Sequence, residues 1–338
     1  MSSGLRIVPE GADTSVGRPR RTEKSGGAVT RGGRLAFHTY RTLGGALAVL
    51  PEPVALGAGW AVGGVLARVQ RDQRAVVARN LRRVLGPDLE EGELDRWVRR
   101  AFDAYARYWV EGARLSSTAR SEVEQHFVVV EDGWRHVVAG MASGAGVVMA
   151  LPHVGSWEFG GAFLAAAGYP MTAVAERLEP EALFDYFVAE RAAMGLTIVP
   201  LDDSAGSALL RTLNAGGLVG LLCERDLTGT GIEVEFFGER TTMPAGPATV
   251  ALRTGATLLT AAVYSGPGRD HHAVVEEPLD LTRTGTLRTD VQRLTQAIAT
   301  RLEGLISRAP EQWHAFQPVW PSDRREGRRG GLAVAVAS

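Results

Sequence analysis

The chain contains a single cysteine, Cys223, among its 338 residues. A lone cysteine excludes an internal disulfide and is typical of a protein kept in a reducing cytosol. Lysine is equally scarce, since Lys24 is the only one, so arginine carries nearly all of the positive charge. The formal net charge is only -1, and we expect no nucleic acid among the partners.

Several catalytic motifs are also missing. The stretch nearest to a serine-hydrolase elbow, residues 202–206 (DDSAG), lacks the first glycine of that motif. No zinc-binding H-E-x-x-H occurs, and the adjacent His271 and His272 would point to opposite faces of a strand. Phosphate-binding glycine loops are absent, and Glu224 beside Cys223 disfavours a thiolate nucleophile. We therefore expect neither a metal nor a cofactor.

A membrane-spanning run is absent too. Residues 43–69 are apolar but are interrupted by Pro51, Glu52 and Pro53, and the uninterrupted part is shorter than the roughly 20 residues that a spanning helix needs. Residues 68–83 follow with six arginines against one aspartate. An apolar helix beside a cationic one favours a segment that lies in the interface of an anionic membrane. The alternative is an ordinary helical hairpin with a solvated arginine face.

The composition predicts a single globular domain between two tails. Residues 1–34 hold six arginines and one lysine with little apolar periodicity, which indicates a disordered basic tail without a signal peptide. We expect one domain over residues 35–322, helical and membrane-interfacial up to residue 120 and α/β over residues 121–322. Residues 323–338 are expected to form a second disordered tail.

Strand and helix patterns alternate beyond residue 127. This alternation predicts an α/β fold with a mixed, mostly parallel sheet flanked by helices, preceded by the helical N-terminal portion. The expected strands are 128–130, 147–151, 171–175, 197–201, 218–223, 234–237, 257–264 and 273–276. The expected helices are 93–115, 157–168, 180–195, 204–215, 245–254 and 289–308.

A histidine and a carboxylate follow the apolar strand 147–151. His153 lies just beyond the carboxyl end of that strand, and Glu158 falls in the first turn of the next helix. Ligands of open α/β sheets bind outside the carboxyl ends of strands, so both side chains are candidates for a site. A histidine there can take a proton from a hydroxyl near neutral pH. The alternative is a capped histidine at a strand-to-helix turn.

Two further stretches carry candidate site residues. The strand 218–223 ends in Glu224, Arg225 and Asp226, which a parallel sheet would bring to the edge that carries His153. Glu224 is the favoured partner of His153, although the same charges would also suit an ion-pair network that closes a loop. Residues 235–248 contain Phe-Phe-Gly and Met-Pro-Ala-Gly-Pro-Ala, whose amides suit an anion and whose aromatics suit an apolar slot.

Together these motifs resemble the bacterial lipid A biosynthesis acyltransferase family. The resemblance covers roughly residues 40–320: H-x4-E, then E-R-D, then F-F-G with M-P-A-G-P-A, then residues 310–314 (PEQWH). Residues 175–180 (AERLEP) and the E-R-D-L form are most similar to the phosphatidylinositol mannoside acyltransferase branch, where the place of Glu158 is often Asp. The resemblance implies transfer of a fatty acyl chain, palmitoyl in that branch, from acyl-CoA to a sugar hydroxyl without an acyl-enzyme.

The resemblance also implies roles for the candidate residues. His153 would be the general base, Glu224 would orient it, and Glu158 would support either. A monomer at the cytoplasmic face of the cell membrane, bound peripherally, is expected. The alternatives are an acyl-CoA thioesterase and a non-catalytic lipid-binding protein of the same fold. The expected substrate contacts are Arg177, Arg191, Arg225, Asp226, Phe236 and Phe237.

Overall fold

The computed structural model describes residues 31–326. Twelve α-helices and nine strands lie within this range. The strands are β1 Phe127–Val130, β2 Val147–Leu151, β3 Met171–Ala175, β4 Thr197–Pro200, β5 Leu218–Leu222, β6 Ile232–Phe236, β7 Glu239–Met243, β8 Thr257–Ser265 and β9 His271–Val275. The helices are α1 Arg31–Val49, α2 Glu52–Val69, α3 Arg71–Leu85, α4 Glu91–Leu115, α5 Arg120–Gln125, α6 Trp134–Ala142, α7 Trp157–Ala166, α8 Glu181–Ala193, α9 Ala205–Asn214, α10 Gly246–Thr254, α11 Leu287–Ser307 and α12 Pro321–Glu326.

Seven strands form one sheet in the order β1-β9-β8-β2-β5-β3-β4. Every neighbouring pair is parallel except β8 and β9, which are antiparallel, and β6 and β7 form a separate antiparallel hairpin. All five side chains of β2 are buried, as an apolar strand covered by helices on both faces requires. The expected α/β fold with a mixed, mostly parallel sheet flanked by helices is confirmed.

The eight predicted strands are present, and β2 and β3 have the predicted bounds. Four elements were not anticipated, namely β7, α5, α6 and α12. The sequence of β7, Glu-Arg-Thr-Thr-Met, is polar because the strand lies in the small hairpin and buries only Thr241 and Met243. Its turn is made by Phe237 and Gly238, both at positive φ, so a conformation that non-glycine residues rarely adopt closes the hairpin.

The helices α2 and α4 pack against each other through small residues. Ala55, Gly59, Gly63 and Ala67 recur every fourth residue along one face of α2. A Cβ atom on Gly63 would lie 3.0 Å from the carbonyl oxygen of Phe102 in α4. The glycines therefore allow the two backbones to approach closely, and they fix the position of α2 over the domain.

The opposite face of α2 is apolar and exposed. Val54, Trp60, Val62, Val65 and Val69 are each at least half exposed. A helix that is apolar around its whole circumference is unusual on a protein surface. None of the helices within residues 31–326 is long and apolar enough to cross a membrane.

The arginines of α3 are engaged within the protein. Arg74 pairs with Asp95 at 2.6 Å, Arg82 with Glu91 at 2.5 Å, and Arg79 with Asp323 at 2.9 Å. Arg83 contacts Asp323 and Glu239, at 2.9 Å and 2.8 Å. Each of these four arginines therefore has a carboxylate partner within the protein, and the attraction of the segment to anionic lipid stays a prediction.

The predicted tails differ from the structure at their inner ends. Helix α1 begins at Arg31, inside the expected tail 1–34, and α12 runs into the expected tail 323–338. Asp323 is buried because Arg79 and Arg83 bind its carboxylate, so the ordered chain extends past residue 322. The rest of both predicted tails lies outside the described residues.

The packing of α2 on α4 predicts that Gly63→Val destabilises the protein. The added side chain would overlap the Phe102 carbonyl and the Ala106 methyl group, and overpacking of this kind costs about 1–3 kcal/mol. Gly57→Val is the matched control because no atom lies within 4 Å of a Cβ at that position. Chemical denaturation of both variants measures the difference, and equal stabilities would contradict the close packing.

Candidate active site

The register of β2 on β5 brings the candidate site together. Leu151 pairs with Leu222, and the amide of Cys223 donates a hydrogen bond to the Leu151 carbonyl at 3.0 Å. His153 and Glu224 follow these paired strand ends directly. Burial, followed by the charge of Glu224, raises the pKa of the Cys223 thiol, so Cys223 is a protonated core residue.

His153 and Glu224 form a close pair. The Nδ1 atom of His153 lies 2.7 Å and 2.9 Å from the two carboxylate oxygens of Glu224, whose residue is fully buried. Burial acts to raise the pKa of Glu224, but His153 and Arg225 beside it outweigh burial and hold that pKa at about 2. Because the carboxylate is ionised, it accepts the proton of Nδ1, and the lone pair of His153 is on Nε2.

Arg225 occupies the other side of the imidazole. Its Nη2 atom donates to Nε2 of His153 at 2.7 Å, and its Nε atom lies 3.7 Å from Glu224. Burial, followed by the guanidinium of Arg225, lowers the pKa of His153 below its ordinary value of 6.5. The imidazole is therefore neutral at pH 7, which is the form that accepts a proton.

The segment after α11 closes the site from the C-terminal side. The amide of His314 donates to the His153 carbonyl at 2.8 Å, and Nε1 of Trp313 donates to Glu224 at 3.4 Å. Nε2 of His314 donates to the Gly155 carbonyl at 2.9 Å. Burial lowers the pKa of His314 to about 4, so this second imidazole is neutral as well. Neither residue was assigned a role from the sequence, although Trp and His stand together in the PEQWH motif.

Glu158 does not contact His153. Its Oε1 atom accepts hydrogen bonds from the Tyr108 hydroxyl at 2.8 Å and from Arg191 Nη2 at 2.9 Å. Arg191 also lies over the rings of Trp157 and Phe187. Burial, together with the charge of Glu158, raises the pKa of Tyr108 well above its usual value, so the hydroxyl remains a donor. Glu158 thus joins α7 to α4 and α8 through a buried ion pair.

The other five predicted substrate contacts bind or pack against residues of the protein itself. Arg177 is exposed and lies 3.3 Å from Asp202. Asp226 accepts from the amides of Thr228, Gly229 and Gly231, so it organises the loop that follows the site.

The two aromatic residues of the hairpin pack in the core. Phe236 is fully buried and stacks on Trp320, and Phe237 lies against Phe236 and Trp313. The hairpin turns Phe236 into the main core and Phe237 against it, and a substrate slot lined by these rings stays a prediction. Arg191 was expected as a substrate contact too, but it is buried against Glu158.

A large apolar cavity opens beside His153. Its volume is about 580 Å³, within the range of about 300–1,000 Å³ that is typical of ligand sites. Leu43 and Leu47 of α1, Val62 and Leu66 of α2, and the aromatic residues of α4 form most of its wall. His153, Arg225 and His314 line it together, and its other polar lining comes mainly from glutamines, namely Gln70, Gln73 and Gln317.

The aromatic side chains of α4 have two roles at this cavity. Tyr105, Tyr108 and Trp109 line the cavity as well as packing on one another. Alternation of strands and helices cannot reveal such a cavity, because its wall comes from α1, α2 and α4 while its polar end comes from the sheet. Within residues 31–326, no cluster of three or more His, Cys, Asp or Glu side chains is arranged to hold a metal ion.

The buried ion pair predicts that Glu158→Gln lowers stability. The substitution would remove the buried carboxylate charge that binds Arg191, and breaking a buried pair costs about 3–5 kcal/mol. Thermal and denaturant unfolding measure the loss. Glu190→Gln, a change in the neighbouring half-buried carboxylate of α8, serves as the control. A loss no larger than that of the control would contradict the structural role.

The chain is similar to known acyltransferases over most of its length. Residues 34–322 match the family model described as bacterial lipid A biosynthesis acyltransferase. The phosphatidylinositol mannoside acyltransferase of Mycobacterium tuberculosis H37Rv is 38% identical over 257 residues, which are 75% of this chain and 79% of that protein. The protein of the same name in Mycolicibacterium smegmatis is 34% identical over 312 residues, 91% of this chain and 99% of that protein. The chain belongs to the bacterial lipid A biosynthesis acyltransferase family.

Proposed function

We propose that the protein transfers a palmitoyl chain from acyl-CoA to a mannose hydroxyl of a phosphatidylinositol mannoside, with His153 as the general base. One observation carries the proposal: His153, paired with Glu224, lines a large apolar cavity. The named relatives support the acceptor, since proteins called phosphatidylinositol mannoside acyltransferase match most of the chain.

The cavity suits a saturated acyl chain. Its wall is dominated by Leu, Val and aromatic side chains from α1, α2 and α4, with few polar atoms before the site is reached. Burial of a methylene group contributes about 0.8 kcal/mol, so a long chain would be held firmly by apolar contact alone. A chain bound in the cavity with its thioester at the polar side chains would place the thioester carbonyl beside His153 and Arg225.

The proposed step needs only proton transfer and acyl transfer. Nε2 of His153 takes the proton of the mannose hydroxyl while the hydroxyl oxygen attacks the thioester carbonyl carbon. The tetrahedral intermediate then collapses, the carbon–sulfur bond breaks, and the imidazolium returns its proton to the departing CoA thiolate. Glu224 stabilises the imidazolium between these steps, as an ionised partner on Nδ1 does in other histidine bases. The step requires no metal and no cofactor.

We further propose that the protein works at the cytoplasmic face of the membrane, resting on α2. Its exposed apolar face, which includes Val54, Val65 and Val69, would contact the bilayer. Because the arginines of α3 are paired within the protein, the apolar face rather than positive charge would supply the contact. We expect a peripheral monomer.

A labelled acyl-CoA tests the proposal directly. Incubation with a phosphatidylinositol mannoside should move the label to the glycolipid. Hydrolysis at the same rate with and without acceptor would indicate a thioesterase, and binding without turnover would indicate a lipid-binding protein. Either of these outcomes would contradict the proposal.

Removal of the base should abolish transfer while the fold remains. His153→Asn lacks the basic nitrogen but retains an N–H group that can reach Glu224, so the buried carboxylate keeps a donor. Loss of a general base typically reduces the rate by about 10²–10⁴-fold. Steady-state transfer assays measure the effect, with thermal unfolding as the check on folding. Wild-type turnover in the variant would exclude His153 as the base.

The pH profile should reflect the lowered pKa of His153. Transfer requires neutral imidazole, so the rate rises as pH increases through the pKa of His153 and then levels off. Burial and Arg225 place that pKa below 6.5, and the acid limb should therefore have its midpoint below pH 6.5. A midpoint at or above 6.5 in kcat/KM would contradict the electrostatic environment described.

Membrane binding should depend on α2. Val54→Ser/Val65→Ser removes two exposed apolar side chains that do not line the cavity, and vesicle co-sedimentation should weaken by at least about tenfold, because each buried Val side chain contributes about 1.5–3 kcal/mol. The matched control is Val128→Ser/Val138→Ser, which changes two exposed valines of β1 and α6. Equal weakening by both double variants would argue against α2 as the contact.

A further inference from the structure

The base atom of His153 is not free in this structure. Nδ1 is bound to Glu224, and Nε2, the only position with a lone pair, accepts a hydrogen bond from Arg225 at 2.7 Å. A lone pair that accepts from a guanidinium cannot at the same time accept the proton of a substrate hydroxyl. Arg225 must therefore leave Nε2 before His153 can act as a base.

Arg225 has an unsatisfied donor. The side chain of Arg225 is about nine-tenths buried. Its Nε atom is buried too and has no hydrogen-bond partner among residues 31–326. A buried donor without a partner is costly, and in native proteins it points to a missing ligand or to strain. The guanidinium also lines the apolar cavity, where a bound substrate would meet it. A planar guanidinium with free donors is well suited to the oxygens of a phosphate.

The backbone around Arg225 is held in place on both sides. Glu224 is fixed by His153 and Trp313, and Asp226 accepts from three amides of the following loop and from the Thr242 hydroxyl. Within residues 31–326, the guanidinium of Arg225 makes a single hydrogen bond, to Nε2 of His153. Its aliphatic stem allows the guanidinium to exchange Nε2 for another acceptor without any change of the loop.

We propose that Arg225 is a positioning residue that keeps Nε2 of His153 occupied until the phosphate of the acceptor glycolipid binds the guanidinium and draws it away. This inference rests on the proposed function. The base is then released only when the acceptor is present, so water cannot be activated against an acyl-CoA that has bound alone. The contact would thereby make the enzyme a transferase and suppress the thioesterase activity that the same residues could otherwise support.

The partition between hydrolysis and transfer tests the proposal. Arg225→Gln removes the guanidinium, and acyl-CoA hydrolysis without acceptor should rise by at least about tenfold, since general-base activation of water is worth about 10²–10⁴-fold. Transfer by the same variant should show a raised KM for phosphatidylinositol mannoside. Arg135→Gln, at an exposed arginine paired with Asp132, is the matched control and should leave both rates unchanged.

Assays of the wild-type protein show which of the two phosphate-bearing substrates, acyl-CoA or the acceptor glycolipid, releases the base. With acyl-CoA alone, hydrolysis should stay at the background level, because the phosphates of the donor do not release the base. If wild type hydrolyses acyl-CoA alone as fast as Arg225→Gln does, the link to the acceptor is wrong. Unchanged hydrolysis in a folded Arg225→Gln protein would overturn the proposal as a whole.

A titration without turnover separates this proposal from the proposed function. The groups that face His153 are Glu224 and Arg225 after β5, Glu158 in α7 and His314 near the C-terminus. Arg225 acts to lower the pKa of the imidazole, so Arg225→Gln should raise the pKa measured from the nitrogen-15 shifts of His153. Glycerophosphoinositol added to the ligand-free wild-type protein should also raise the pKa of His153. No change in either titration would refute the contact even if the enzyme proved to be a transferase.

Discussion

The parallel pairing of β2 with β5 is the constraint on which the site depends. Because Leu151 and Leu222 are paired, the residues that follow them emerge side by side, and the buried carboxylate of Glu224 meets the imidazole of His153. A buried charge without partners is strongly unfavourable. Glu224 is satisfied by His153, Trp313 and Arg225, which come from three separate parts of the chain. Any shift of one strand against the other would separate these partners.

The helical N-terminal part and the sheet together form the cavity. The sheet supplies the polar end of the cavity, whereas α1, α2 and α4 supply its apolar wall. Helix α4 has two roles, since its Ala106 and Phe102 receive the glycines of α2 and its Tyr108 binds Glu158. The ion pair of Glu158 with Arg191 then ties this helix to α8. The cavity and the base are therefore parts of one packed structure.

The sequence predicted the sheet well because apolar strands and amphipathic helices have clear periodicities. It also predicted that Glu224 would lie beside His153, since parallel strands carry their following residues to one edge. It could not show that Phe236 packs in the core, because an aromatic pair looks the same whether it lines a slot or fills a core. It could not show the ion pair of Arg79 either, because its partner Asp323 is distant in sequence. Long-range pairing of this kind leaves no local pattern.

A structure of the protein with a non-hydrolysable palmitoyl-CoA analogue tests the central claim most directly. The account predicts that the acyl chain fills the cavity between α1, α2 and α4, with the carbonyl carbon beside His153 and room for a hydroxyl at Nε2. A chain bound elsewhere, with the cavity still empty, would contradict the account.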